Sequence, residues 1–288
     1  MAWLQLIFNT EADHVETLTD ALTTAGAVAV TLQDGAEQPL YEPPLNTTPL
    51  WQKTQVIGLF AEETDVSSLH TELQSLLSPL QMYQTRWLEE QDWNQPFDFP
   101  PLSFGDRLWI CPSWQSPPHP DAINVFLDPG LAFGSGTHPT TALCLAWLAQ
   151  QDDLKGKTVI DYGCGSGILA IAAAKLGANQ IWAVDHDPQA LQATQENAQK
   201  NQVAIQVVLP EQLPKVTADI ILANILAKPL IELVTVFNTH LNTQGWVILS
   251  GILQQQLSEV ATAYRSSFLI KEVIECEGWL RLTAQHKN

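Results

Sequence analysis

The chain has 288 residues, enough for one large or two ordinary domains, and 45% of them are hydrophobic, which excludes a disordered protein. Thirteen basic residues against thirty-one acidic ones give a net charge of −18. This charge disfavours a protein that binds phosphates mainly through Lys and Arg, so we expect no direct nucleic-acid binding. A basic protein partner, in contrast, would be attracted to such a surface.

The sequence carries no sign of export, of a membrane span or of a metal site. Its start, residues 1–8, is apolar but lacks a basic flank, and no run approaches the roughly 20 apolar residues that a membrane helix needs. The four cysteines form no C-x-x-C pair, so neither a zinc knuckle nor a redox dithiol is predicted. We therefore expect a cytoplasmic protein without a metal.

The first part of the sequence predicts a small α+β domain over 1–93. Strand alternation and helical spacing follow the order β-α-β-β-α-β, which is typical of a ferredoxin-like split β-α-β unit. The predicted strands cover 3–9, 27–32, 53–61 and 80–88, and the helices cover 14–25 and 65–77. Residues 1–98 hold fifteen acidic and two basic residues and no catalytic constellation. The pattern indicates a binding domain, although a merely solvated acidic surface is the alternative.

A segment rich in proline and tryptophan follows and predicts a linker over 94–120. Seven of the eighteen prolines fall within it. Proline fixes φ and lacks an N–H donor, so the segment is expected to contain neither a long helix nor a central strand. The linker is either a stiff spacer with aromatic anchors or a hinge between two domains that move during function.

The remainder, 121–288, predicts a second domain in which strands and helices alternate. This pattern is typical of an α/β fold with an open, mostly parallel, doubly wound sheet. Predicted strands cover 158–162, 180–185, 205–209, 219–223 and 246–250, and helices cover 168–176, 188–201, 227–241 and 254–264. Two strand-like runs at 268–275 and 278–284 end the chain. Because they follow one another without a helix, they predict an antiparallel hairpin at one edge of the sheet.

A glycine-rich turn follows the strand at 158–162. Gly163, Gly165 and Gly167 allow a tight turn and a close approach of the backbone to a ligand, and Asp161 places a carboxylate beside them. The next helix would add free N–H groups. The spacing G-x-G-x-G differs from the G-x-G-x-x-G of dinucleotide sites, which argues against a nicotinamide-dependent oxidoreductase, the rival enzyme class.

A second acidic residue, Asp185, ends the following strand, twenty-two residues after Gly163. An acid at this place is expected to accept the hydroxyls of an adenosine ribose. Asp187 and Pro188 are typical of a helix start, so Asp187 is predicted to be structural.

Two further segments hold candidate site residues. The glycine-rich stretch 127–141 predicts a flap over the ligand, with Thr141 in the first turn of the next helix. His138 in this stretch is a candidate catalytic group, with a structural hydrogen-bonding role as the alternative. Asn224 ends a strand at the edge of the sheet where doubly wound folds bind ligands.

The motifs D-x-G-C-G-S-G and V-D-x-D-P resemble those of the class I methyltransferases, which bind S-adenosylmethionine. This cofactor carries a sulfonium cation and a ribose but no phosphate, which suits two carboxylates without a local Lys or Arg. Relatives that methylate adenine, cytosine or a glutamine amide often carry N-P-P-[YF] where this chain has Asn224, Ile225 and Leu226, so those substrates are disfavoured. Together with L-D-P-G-x-A-F-G-[ST]-G-x-H-x-T-T and A-N-I-L, they make the chain similar, nearly end to end, to the PrmA family. That family methylates the eleventh protein of the large ribosomal subunit. Ser135, where threonine is common, is a small departure from the pattern.

The resemblance implies a ferredoxin-like recognition domain, a flexible linker and a Rossmann-like class I methyltransferase domain. It implies that Thr141, Gly163, Asp185 and Asn224 contact S-adenosylmethionine, with Asn224 also orienting the substrate amine. It further implies trimethylation of an N-terminal α-amine and of lysine side chains of a basic ribosomal protein. The alternatives are a methyltransferase of another basic protein or of ribosomal RNA, and an adaptor that keeps the cofactor fold without catalysis.

Overall fold

The computed structural model describes residues 2–36, 49–77, 82–88, 99–128 and 136–287. The chain divides into two compact units, residues 1–97 and residues 98–288. Within the described ranges, no helix is long and apolar enough to cross a membrane.

In the described residues, the first unit forms a four-stranded antiparallel sheet and two α-helices. Its elements are β1 (Trp3–Glu11), α1 (Val15–Thr24), β2 (Ala29–Asp34), β3 (Lys53–Ala61), α2 (Val66–Leu76) and β4 (Tyr83–Leu88). The strand order is β2-β3-β1-β4, and every neighbouring pair is antiparallel. Each β-α-β step therefore skips one strand, which is the interleaved order of a split β-α-β unit that the sequence predicts.

One core holds this unit together. Alternate side chains of β1 are fully buried, and they pack with one side of each helix. Leu18 and Leu22 of α1 and Leu73 of α2 lie in this core. Asp65 begins α2, because its carboxylate accepts hydrogen bonds from the backbone N–H groups of Ser67 and Ser68.

The described part of the second unit forms a seven-stranded sheet, a three-stranded sheet and six α-helices. Its strands are β5 (Leu102–Phe104), β6 (Leu108–Cys111), β7 (Ile123–Phe126), β8 (Thr158–Tyr162), β9 (Gln180–Val184), β10 (Gln206–Val208), β11 (Ala218–Asn224), β12 (Leu241–Leu253), β13 (Phe268–Cys276) and β14 (Trp279–His286). Its helices are α3 (Pro139–Ala149), α4 (Ile168–Lys175), α5 (Pro188–Lys200), α6 (Ala227–Glu232), α7 (Val234–His240) and α8 (Leu257–Tyr264). The helix predicted over 227–241 is thus two helices.

The large sheet has the order β10-β9-β8-β11-β12-β14-β13. The first five strands are parallel, and β14 and β13 pair antiparallel at the edge, so the predicted hairpin is confirmed. Alternate residues of β8 point into two different cores: Val159 packs with α3 and α4, whereas Ile160 packs with α6 and α8. Helices on both faces define a doubly wound α/β domain, as predicted.

Residues 99–120 differ from the linker predicted over 94–120. They contribute β5 and β6 to the three-stranded sheet, and Leu108 and Ile110 are buried in the core of the second unit. The prolines at 100, 101 and 112 lie outside these strands and therefore remove no ladder hydrogen bond. Proline density excluded a long strand but not two short ones. Residues 94–98 of the predicted linker lie outside the described ranges.

Candidate active site

The turn between β8 and α4 depends on its glycines. Gly163, Gly165 and Gly167 have φ of +80°, +52° and +79°, in the left-handed region that glycine adopts without strain. The N–H of Gly163 donates to the carbonyl of Val184 in β9 at 2.7 Å. A Cβ at Gly163 would collide with the side chain of Ile225. A larger residue at 163 would therefore require Ile225 or the turn to move.

Helix α5 holds the same turn from the other side. Thr194 is fully buried, and its Oγ1 donates to the carbonyl of Gly165 at 3.0 Å. Asn197 Nδ2 donates to the carbonyl of Ser166 at 2.9 Å. The sequence analysis missed both residues, because they lie in an otherwise polar helix and no motif marks them. They satisfy carbonyl groups that a tight turn leaves without backbone partners.

Asp161, at the end of β8, is a buried carboxylate with one unused oxygen. Its Oδ2 accepts a hydrogen bond from the N–H of Ala170 at 3.0 Å. Its Oδ1 is buried and has no hydrogen-bond partner within the part of the chain that the structure describes. Burial raises the pKa of Asp161 to about 7, and the nearby Asp185 carboxylate adds to this rise, whereas the Ala170 hydrogen bond opposes it.

Asp185 follows β9 and faces the glycine turn, as predicted. Its Oδ2 accepts from the N–H of Gly165 at 3.0 Å, and its Oδ1 accepts from the N–H of Asp187 at 3.0 Å. Oδ2 keeps a second lone pair for a ligand hydroxyl, whereas His186 Nδ1 lies 3.4 Å from Oδ1. Asp187 has the structural role predicted for it, because it caps α5 by accepting from the N–H of Gln189.

Helix α3 brings two more candidates to this edge of the sheet. Thr141 is buried, and its Oγ1 accepts a hydrogen bond of 3.0 Å from Asn224 Nδ2 at the end of β11. The structure thus joins two residues that lie 83 positions apart in the sequence. His138 caps α3: its Nδ1 accepts from the N–H of Thr140 and lies 2.8 Å from Thr140 Oγ1. This contact corresponds to the structural alternative considered for His138.

The predicted flap lies largely outside the described ranges, since residues 129–135 are not among them. The segment that leads into it is fixed to α5. Asn201 exchanges two hydrogen bonds of 2.7 Å with the backbone of Phe126. Asp128 accepts from Lys200 Nζ at 2.5 Å and from Ser113. Although partial burial raises the pKa of Asp128, these hydrogen bonds bring it below its ordinary value.

The C-terminal hairpin contacts α3 at two places that the sequence analysis did not identify. The ring of Trp279 meets the ring of His138 edge-on, with centroids 5.3 Å apart. The buried Arg281 donates through Nη1 to the carbonyl of Leu143 at 3.0 Å. No sequence motif marks either residue.

The predicted site residues therefore lie along one edge of the parallel sheet, where β8, β9 and β11 end. The edge offers two carboxylates, a turn of left-handed glycines and the linked Thr141–Asn224 pair. Within the described ranges, no group of three or more His, Cys, Asp or Glu residues could hold a metal ion. The donor set suits an organic cation with hydroxyl groups better than a phosphate, because the contacts of the turn among the described residues include no Lys or Arg.

Comparison with known proteins gives the family. The family model of ribosomal protein L11 methyltransferase (PrmA) matches residues 2–287. Ribosomal protein L11 methyltransferases of Alteromonas mediterranea and Serratia proteamaculans are 47% and 49% identical to this chain, and each alignment covers 100% of both proteins. A crystal structure of ribosomal protein L11 methylase from Lactobacillus delbrueckii subsp. bulgaricus is 36% identical, with a TM-score of 0.60, over 66% of this chain and 100% of that one.

These matches confirm the resemblance seen in the motifs. The family match extends over almost the entire sequence. The chain belongs to the ribosomal protein L11 methyltransferase (PrmA) family.

Proposed function

We propose that the protein is a methyltransferase that transfers methyl groups from S-adenosylmethionine to ribosomal protein L11, at its N-terminal α-amine and at lysine side chains. The observation that carries the proposal is the Thr141–Asn224 hydrogen bond beside the glycine turn and Asp185. This bond orients the side chain of Asn224 beside the glycine turn, where the cofactor of a class I methyltransferase would bind. The full-length relatives named as ribosomal protein L11 methyltransferases support the choice of substrate.

The residues of the site fit S-adenosylmethionine. Asp185 would hold the ribose hydroxyls, and Gly163, Gly165 and Gly167 let the backbone approach the ligand closely. Asp161 Oδ1 is a buried acceptor that lacks a donor, so an ammonium group of the ligand would satisfy it. When bound, S-adenosylmethionine supplies a methyl group activated by a positive sulfonium.

Asn224 would orient the substrate amine. Its Nδ2 donates to Thr141, so its Oδ1 is directed by that bond and can accept an N–H of the incoming amine. The amine has to be neutral, and lysine has an ordinary pKa of about 10.4, so the site must favour the uncharged form. Removal of water around the amine lowers its pKa, and a fixed orientation supplies much of the rate. His138 remains a candidate for contact with the amine.

The division of labour between the units is part of the proposal. The acidic first unit would bind the basic substrate, the second would hold the cofactor, and the segment between them would act as a hinge. Such a hinge would let one active site reach several amines. Action on a ribosomal protein implies a cytoplasmic location.

The proposal is tested by incubating the full chain with labelled S-adenosylmethionine and a mixture of ribosomal proteins and ribosomal RNA. We expect label in ribosomal protein L11, with intact mass rising in steps of one methyl group. Peptide mapping should place the groups on the α-amine and on lysines. Label in RNA or in another protein alone would reject the substrate, and no transfer to any component would reject the activity.

A further inference from the structure

Arg281 is an almost completely buried cation next to the helix that carries Thr141. Only 3% of the residue is exposed. Its Nη1 donates to the carbonyl of Leu143 in α3 at 3.0 Å, and its Nη2 pairs with Glu272. Burying a guanidinium is unfavourable unless its charge and donors are compensated, and Arg281 Nε has no hydrogen-bond partner among the described residues. The Leu143 contact ties Arg281 to α3.

Helix α3 has no charged or amide side chain of its own. Seven of its eleven residues are buried, and most of these are apolar. The hydrophobic effect is non-directional, so hydrogen bonds add direction to the position of the helix. Two contacts from β14 supply direction: the Arg281 bond to the carbonyl of Leu143 and the edge-on contact of Trp279 with His138. Both act within five residues of Thr141.

Neighbouring strands of the large sheet connect Asn224 with Arg281. Asn224 of β11 is in register with Ser250 of β12, and Ser250 is in register with Arg281 of β14. The three residues form one row across neighbouring strands. Helix α3 contacts both ends of this row, because Thr141 bonds to Asn224 and Leu143 bonds to Arg281. A shift of α3 along its axis would therefore disturb both bonds.

We propose that Arg281 is a positioning residue, which holds α3 so that Thr141 and Asn224 keep their hydrogen bond. The inference rests on the proposed function, because it takes the Thr141–Asn224 pair as part of the cofactor and amine site. Arg281 acts through the helix and does not itself touch the substrate. In this proposal Glu272, whose side chain is 47% exposed, balances the charge of Arg281 but does not position α3.

The test is a double-mutant cycle between Arg281→Met and Thr141→Val, with binding of S-adenosylmethionine measured by calorimetry and methyl transfer to ribosomal protein L11 measured by initial rates. Arg281→Met should weaken cofactor binding about tenfold, the effect of one charge-assisted hydrogen bond. In the Thr141→Val background it should cause no further loss, because the contact that it positions is already gone.

Two further variants separate positioning from stability. Glu272→Gln removes the ion pair but keeps the Leu143 contact, so it should lower the melting temperature and leave cofactor binding unchanged. Arg281→Lys keeps the positive charge but replaces the guanidinium by a single ammonium group, so it should give an intermediate loss of cofactor binding. This variant replaces Arg281→Met in the test if Arg281→Met does not fold.

The outcomes distinguish the inference from the function on which it rests. Additive losses in the cycle, or a folded Arg281→Met or Arg281→Lys variant with unchanged cofactor binding, would overturn the positioning role. The same holds if Glu272→Gln weakens binding as much as Arg281→Met. If the unmodified chain neither binds S-adenosylmethionine nor methylates ribosomal protein L11, the proposed function itself fails.

Discussion

The hydrogen bond between Asn224 and Thr141 gives both side chains one orientation at the end of β11. Replacing Asn224 by Ala removes the group that would orient the amine, whereas Asp185 and the glycine turn still hold the cofactor. We expect kcat to fall by about 100-fold, the usual effect of losing one oriented polar group at the reacting centre. Cofactor affinity should fall much less. Initial rates and calorimetry measure the two quantities.

A matched substitution, Thr141→Ser, keeps the hydroxyl that accepts from Asn224. It should therefore retain most of the turnover and most of the cofactor affinity. Equal losses of turnover and cofactor affinity in Asn224→Ala would show that Asn224 serves binding rather than the orientation of the amine.

Asp161 gives the site a predicted dependence on pH. Its pKa is raised from 3.8 to about 7 in the folded protein, mainly by burial. The folded state therefore holds the Asp161 proton more tightly than the unfolded state, and this residue's contribution to the free energy of unfolding decreases as pH rises through that window. Asp161→Asn removes the contribution, so the cofactor-free variant should unfold at a higher temperature than the unmodified protein at pH 8.

The difference in unfolding temperature between Asp161→Asn and the unmodified protein should become smaller at pH 5, where the folded protein keeps Asp161 protonated. Thermal unfolding of both proteins at pH 5 and pH 8, without cofactor, measures this difference. A gap that stays constant or widens towards pH 5 would contradict the assignment. The same variant should bind S-adenosylmethionine more weakly, because the unused Oδ1 acceptor is replaced or reoriented.

At the scale of elements, local patterns predicted the parts of the site that are local in sequence. The turn 163–167 was predicted from its glycines, and Asp185 from its distance to the turn. Thr194 lies 29 residues from the carbonyl it contacts, and Arg281 lies 138 residues from Leu143. Their roles depend on which strands and helices become neighbours, and that information is not present in any short motif.

The glycine turn is an element whose geometry can be tested with two matched substitutions. Gly163 and Gly156 have φ of +80° and +78°, so alanine at either position meets the same backbone strain, about 1 to 2 kcal/mol. Nothing lies within 4 Å of a Cβ at Gly156, whereas a Cβ at Gly163 collides with Ile225. Gly163→Ala should therefore destabilise the protein by an additional 1 to 3 kcal/mol or so.

Denaturant unfolding of both variants measures this difference, and calorimetry should show lost cofactor binding in Gly163→Ala alone. Equal stability of the two variants would mean that Ile225 moves aside without a penalty. In that case the glycine at 163 would be explained by backbone conformation only.

At the scale of the whole molecule, charge is divided unevenly, with a net charge of −13 over residues 1–98. Glu16 and Asp20 lie one turn apart on the exposed side of α1. If the first unit attracts the basic substrate, replacing them by Gln and Asn should raise KM for ribosomal protein L11 about twofold, mainly through slower association. Replacing Glu259 and Glu275 of the second unit by Gln is the control. Equal effects of the two pairs would favour a merely solvated acidic surface.

The boundary between the units was the feature that proline positions predicted least well. Prolines predict breaks in long elements, but they do not show whether the short pieces between them pack into a core. Leu108 and Ile110 do so, although both lie inside the predicted linker. The class of each larger sheet, in contrast, was predicted from the order of strands and helices, because connection rules leave few arrangements for each pattern.

This boundary leads to a prediction for two fragments. A fragment of residues 98–288 keeps the three-stranded sheet, so it should fold and bind S-adenosylmethionine as the full chain does, yet methylate ribosomal protein L11 poorly because the first unit is missing. A fragment of residues 121–288 lacks β5 and β6. The apolar surface that Leu108 and Ile110 cover is then exposed, which should cost about 1.5 to 3 kcal/mol for each side chain. Circular dichroism, calorimetry and methyl-transfer rates compare the two fragments. If the two fragments were equally stable, residues 99–120 would be a linker as first predicted. If the longer fragment methylated ribosomal protein L11 as fast as the full chain, the first unit would have no role in substrate recognition.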